Sequence, residues 1–199
     1  TLFPYTTLFR SCEVTPIYAV SGAATQFLGL KEGSAPTDLK NPADYSGGSA
    51  GAVPVTPTGY AGAWDGSALD PIMTALPGAV YVSNDTVQPT FGGGAGHDGS
   101  VDSWRLFSDT FTIPAGATGI SSPSLHFAAD NEVSVFFDDV LIGSSASFGS
   151  VTSVALPSLT PGTHTLKFAV KNYAFDQTNN PTGVIYKLDT ITYDCDSHG

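Results

Sequence analysis

Apolar residues in this chain recur at every second position in short segments, and no stretch of ten or more residues sustains a 3.6-residue period. That pattern restricts the chain to extended elements whose two faces differ. The cleanest segment is 163–173. His164, Leu166, Phe168, Val170 and Asn172 share one face, read as the core side, while Thr165, Lys167, Ala169 and Lys171 share the other, read as solvated. Pro161-Gly162 just before it is a turn signal. A second strand is expected over 104–113, with Phe107, Phe111 and Ile113 on one face and Pro114 as its stop. A third spans 124–129 and leads through Asp130-Asn131 to Val133, Val135 and Phe137. Asp138-Asp139 then reads as a tight hairpin turn, because short polar side chains tolerate positive φ, with 140–142 as the returning strand. Further strands are expected at 14–20, 79–83, 151–156 and 184–193.

Many short strands between turn signals specify an all-β sandwich or barrel. The only helix candidate, 68–76, is short and interrupted by Pro71. Residues 31–62 are rich in Gly and Pro and poor in large apolar residues, so they read as a long loop excursion over the sandwich surface. Residues 12–30 are too few to fold alone, and 12–199 is therefore read as a single domain.

Charge is sparse, at 13% of residues against roughly 25% in an average soluble protein. The surface must rely on neutral polar groups, which 21 Ser and 22 Thr supply. A net charge of −11 excludes a binder of phosphate backbones, since no cluster of Lys or Arg could release counterions. No apolar run approaches the roughly 20 residues a membrane-spanning helix needs.

Two resemblances bear on this reading. The first eleven residues, TLFPYTTLFRS, resemble the translation of a short-read sequencing adapter, and they are set aside from fold reasoning. On that reading the natural N-terminus is expected to be missing, and the chain to be part of a longer secreted protein. The stretches AADNEVSVFFDDVLIGSS (128–145), LTPGTHTLKFAVKNY (159–173) and NPTGVIYKLD (180–189), with LPGAVYVS (76–83) and DSWRLFSDTFTIP (102–114) upstream, resemble galactose-binding-like modules of secreted bacterial and archaeal proteins. This resemblance implies a two-sheet antiparallel jelly-roll β-sandwich, an extracellular or cell-surface location, and a role as glycan-binding appendage, adhesin part or structural spacer. The turn Ala129-Asp130-Asn131 also resembles the hairpin start of protective-antigen-type glycan-binding sandwiches. Those use two adjacent acidic residues with calcium, whereas this chain has Asp-Asn.

Several residues are candidates for chemistry. Cys12 and Cys195 are the only cysteines, and an extracellular domain with an even count usually pairs them. The alternatives are two free thiols, or a Cys12 whose partner precedes this chain. The loop 92–102 gathers His97, Asp98 and Asp102 among glycines; Asp98 and Asp102 in it, or Asp130 in its turn, are candidate calcium ligands, although the spacing matches no established calcium loop and His97 is a poor ligand for that ion. The bland alternative is a flexible surface loop. Trp64 and Asp65, flanked by glycines, would suit a sugar by pairing an aromatic face with a carboxylate acceptor; the alternative for Trp64 is a plug at one end of the sandwich. Trp104 is expected at the core or rim. The sequon Asn84-Asp85-Thr86 matters only in a glycosylating host.

Nothing in the sequence forms a catalytic constellation. The carboxylates are scattered, mostly at turns where solvent keeps them ionised. His126 is expected to face out of the core with no acid to pair it. The expectation is thus a non-catalytic extracellular module that binds a glycan or cell-surface polymer through Trp64, Asp65, His97 and Asp98, with no cofactor required. The competing expectation is a self-assembling structural subunit whose β-edges contact neighbouring copies.

Overall fold

In the computed structural model, residues 15–49, 52–55, 70–84, 101–174 and 182–195 are described. Thirteen strands lie among them: β1 (Gln26–Glu32), β2 (Ser46–Ser49), β3 (Val53–Val55), β4 (Tyr81–Ser83), β5 (Ser103–Ile113), β6 (Ala117–Thr118), β7 (Ser124–Asp130), β8 (Glu132–Phe137), β9 (Val140–Ser145), β10 (Thr152–Ala155), β11 (Gly162–Asn172), β12 (Gly183–Leu188) and β13 (Asp194–Cys195). One sheet runs β2-β1-β5-β11-β8-β9, the other β10-β7-β12-β4-β3, and β6 pairs with β13. The chain changes sheet at most connections, which is the jelly-roll winding, and the class is an all-β sandwich.

The alternation read from the sequence sets this architecture. Phe107, Phe111, Val135, Phe137, Leu166 and Phe168 from one sheet meet Leu125, Phe127, Val184, Tyr186 and Leu188 from the other. Phe168 stacks on Tyr186 with ring centroids 4.2 Å apart, joining the two sheets at the centre. The turn Asp138-Asp139 has φ of 46° and 65°, the double positive-φ geometry that matches strand twist.

Three expectations need correction. Pro71 does not interrupt the helix but opens it: the helix runs Pro71–Ala75, and Asp70 caps it by accepting from the N–H groups of Ile72 and Met73. Proline suits the first turn because its missing N–H would be unpaired there anyway. The segment 31–62 is not one long loop, since its described residues include the end of β1, a 3-10 turn at Pro42–Asp44, and strands β2 and β3. Finally, the outer faces are not simply solvated. Leu39 and Tyr45 cover Leu106, Phe136 and Ala169 on the six-stranded sheet, and Ile72 and Leu76 cover Tyr81, Ala128 and Ile185 on the other. Gly29 permits the first of these covers. A Cβ there would stand 2.7 Å from Tyr45 Cβ, so only glycine lets the overlying segment approach.

Of the strands expected at 14–20, only isolated bridges appear among the described residues, Ile17 to Ile191 and Val20 to Lys187. Residues 1–11, Cys12, Trp64, Asp65, His97 and Asp98 lie outside the described residues.

Candidate functional site

The outer face of the six-stranded sheet is only partly covered, and where the cover ends a groove begins. Two rows of side chains cross the strands there. Trp104, Lys171 and Glu132 are register neighbours across β5, β11 and β8. Leu106, Ala169, Ser134 and Ser144 form the parallel row across β5, β11, β8 and β9. Small residues in the second row leave a depression of about 350 Å³, walled by Leu39 on one side and by Ser144, Ser145 and Ala146 on the other. Because most of its lining comes from paired strands, its shape is fixed before any ligand arrives.

Lys171 is the electrostatic centre of this groove. Its Nζ lies 3.0 Å from Asp102 Oδ2, 5.5 Å from the Trp104 ring centroid and 4.7 Å from that of Tyr173. Tyr173 OH in turn donates to Glu132 Oε1, which raises the phenol's pKa. Asp102 accepts from the Ala174 N–H at 2.8 Å, and this bond together with Lys171 lowers its pKa. Trp104 is 8% exposed, so little of its ring is open to the groove.

Asp102 and Asp130 come to the same end of the sandwich, where Asn131 N donates to Lys171 O at 2.9 Å. They fit a cation poorly. Asp102 uses both oxygens on protein donors. Asp130 is 2% exposed, and burial pushes its carboxyl up to about 7, although the Asn131 amide opposes this by donating to it. Among the described residues, no three His, Cys, Asp or Glu side chains gather as a metal site would require. The buried Asn172, also at this end, has neither amide atom hydrogen-bonded.

Two carboxylates depart from the expected placement in solvated turns. Asp109 lies inside β5, where burial raises its pKa while Tyr186 OH donates to it at 2.9 Å. Asp70 is fully buried beneath Tyr81 OH, 2.7 Å away. His126 is corrected too. It does have an acid: its Nε2 lies 3.1 Å from Asp189 Oδ1 and its Nδ1 2.7 Å from Ser153 Oγ. Ser153 is its cross-strand neighbour, a relation invisible until β10 is paired with β7. This Ser-His-Asp order lies on the open outer side of the five-stranded sheet, with Asp189 half exposed and the groove on the opposite sheet. Asn84 of the sequon is engaged as well, its Oδ1 accepting from Arg105 Nε at 2.6 Å.

Sequence reasoning missed the groove. Its residues lie on the face read as solvated, and only the Lys167 and Lys171 positions on that face hinted at polar character. Cys195 lies in β13 opposite Ala117, and no described cysteine is free.

No family model matches the chain, and no curated protein does. Among solved structures it is similar to the carbohydrate-binding module CBM36 in complex with calcium and xylotriose, at 15% identity, covering 45% of this chain and 73% of that one with a TM-score of 0.24. It is similar to a PA14 sugar-binding domain from an RTX adhesin, at 9% identity over 87% of this chain and 95% of that one, TM-score 0.33. A GH31 alpha-xylosidase from Xanthomonas citri shows 10% identity over 92% of this chain, which spans only 17% of that enzyme, TM-score 0.39. Scores this low leave site and ligand to the chain's own geometry.

Proposed function

We propose that this protein is a non-catalytic extracellular module that binds a glycan in the outer-face groove. The observation that carries the reading is the lining itself. Hydroxyls of Ser134, Ser144 and Ser145, the Glu132 carboxylate and the Lys171 ammonium surround a pre-formed depression bordered by Leu39 and Trp104. Sugars present hydroxyls that donate and accept, beside apolar C–H faces, and this mixture meets both needs. Binding without chemistry fits the same lining. The Ser153-His126-Asp189 relay lies on the opposite sheet from this lining. A neutral Ser- and Thr-rich surface and a cysteine pair support the extracellular placement.

The sequence segments carrying Trp64, Asp65, His97 and Asp98 are the competing location for the glycan, and a calcium helper there would rest on Asp98, since Asp102 and Asp130 fit a cation poorly. Calorimetry against soluble oligosaccharides separates the two. Loss of heat on Glu132→Gln with Trp64→Ala unaffected places the glycan in the groove; the converse moves it to those segments. A calcium titration of chelator-treated protein that gives no heat removes the metal from the proposal.

A further inference from the structure

Resting on the glycan reading above, we infer that the groove takes uncharged glycans and rejects acidic ones, and that Asp102 sets this choice by holding Lys171. A uronic acid or sulfated sugar brings a fixed negative charge, and a groove that takes it must offer a cation free to pair with it. Among the described residues, Lys171 is the one cation in the lining, and it is already engaged. Asp102 Oδ2 lies 3.0 Å from its Nζ, and the rings of Trp104 and Tyr173 flank the ammonium. Other lysines on or over this sheet are paired too, Lys167 with Asp139 and Lys40 with Asp38, each at 2.7 Å. Lys31 stands opposite Trp104 and does not line the groove.

The sheet itself places Asp102. Ser103 and Asn172 are register neighbours at the ends of β5 and β11, so Asp102 and Ala174 meet just beyond them. The Ala174 N–H donates to Asp102 Oδ1 at 2.8 Å, leaving Oδ2 for the ammonium. That bond and Lys171 both lower the Asp102 pKa, so its charge persists at neutral pH. Asp102 is absent from the lining and acts only through Lys171. Glu132, the register neighbour of Lys171 on β8, does line the groove. One ammonium between two carboxylates leaves this set one charge negative, and the chain's net charge of −11 adds repulsion of the same sign. An uncharged sugar meets no such penalty. Its hydroxyls can donate to Glu132 and exchange hydrogen bonds with Ser134, Ser144 and Ser145. Discrimination here comes from a charge placed against the wrong ligand rather than from an extra contact to the right one.

Calorimetry of the full chain tests this with oligomers of glucose, galactose and mannose, each beside the uronic-acid oligomer of the same sugar and length. The wild type should bind a neutral member of the panel and give no heat with its acidic counterpart. Asp102→Asn keeps an oxygen for the Ala174 N–H but removes the charge that holds the ammonium. It should raise the ratio of acidic to neutral affinity by about tenfold or more, and adding Lys171→Met should abolish that gain. Asp102→Ser, equally uncharged, gives the same comparison if the amide variant fails to fold. A wild type that binds a uronate as tightly as its neutral counterpart overturns the inference and leaves the groove reading standing. So does an uncharged Asp102 variant whose affinity ratio stays at the wild-type value. A protein that binds no member of the panel overturns the groove reading and this inference together.

Discussion

His164 Nδ1 lies 2.7 Å from Asp138 Oδ2, and the other ring nitrogen lies 2.8 Å from the carbonyl oxygen of Thr160. Both partners are acceptors, so the ring satisfies them together only as an imidazolium. It is held between Phe111 and Phe137, with centroids 5.5 and 5.2 Å away. Asp138 is thereby tied to β11, its other oxygen accepting from Thr165 N at 2.8 Å. The β8–β9 turn is locked to the strand that forms the groove floor.

This arrangement makes stability depend on pH. Burial of the ring disfavours its charge, but the Asp138 carboxylate and the Thr160 carbonyl outweigh that effect, and the net pKa lies above the ordinary 6.5. The stabilisation is therefore complete below 6.5 and is lost as pH rises through the folded value. His164→Gln should cost about 1–3 kcal/mol in urea unfolding at mildly acidic pH and clearly less at alkaline pH. Equal losses at both would mean that the charge is irrelevant.

Asp130 works in the opposite sense for a carboxylate. Its folded pKa of about 7 exceeds the unfolded value near 3.8, so the native state holds an extra proton between them. Stability from this group falls as pH rises through that window. Asp130→Asn should flatten the melting temperature between those limits and raise it on the alkaline side. A variant whose melting curve keeps the wild-type slope would remove Asp130 as the cause.

Asn172 is fully buried with both amide atoms unpartnered. Replacing such a group by an apolar one of similar shape removes a desolvation cost of about 1–3 kcal/mol. Asn172→Leu should leave stability unchanged or increase it in denaturant unfolding. A marked loss would show that the amide has a partner in the native protein.

Much of this fold was legible because alternation survives where one face meets the core. Phe168 and Val170 point inward as their spacing required, and Asp138-Asp139 turns where two short polar residues permitted it. What the sequence concealed depends on distant contacts. Nothing local marks Leu39 and Tyr45 as a cover for Ala169, so the outer face read as water-exposed and the groove at its margin went unseen. The Asp189 partner of His126 lies 63 positions away and becomes visible only through strand pairing. Pro71 was misread because the same residue ends a helix from inside and starts one from its first turn.

The proposed Cys12–Cys195 bridge would close nearly the whole chain. In the loop-entropy model such a crosslink contributes about 4–5 kcal/mol. A thiol assay on unreduced native protein should find no reactive group, and reduction should lower the melting temperature. Two titratable thiols in the native protein would dismiss the bridge.

Glycan recognition in the groove is tested most directly by amide and side-chain chemical shifts during titration with soluble neutral oligosaccharides. Saturable shifts concentrated at Trp104, Glu132, Ser134, Ser144 and Lys171 are the predicted result. Shifts confined to residues outside the groove, or none with any oligosaccharide, would contradict it.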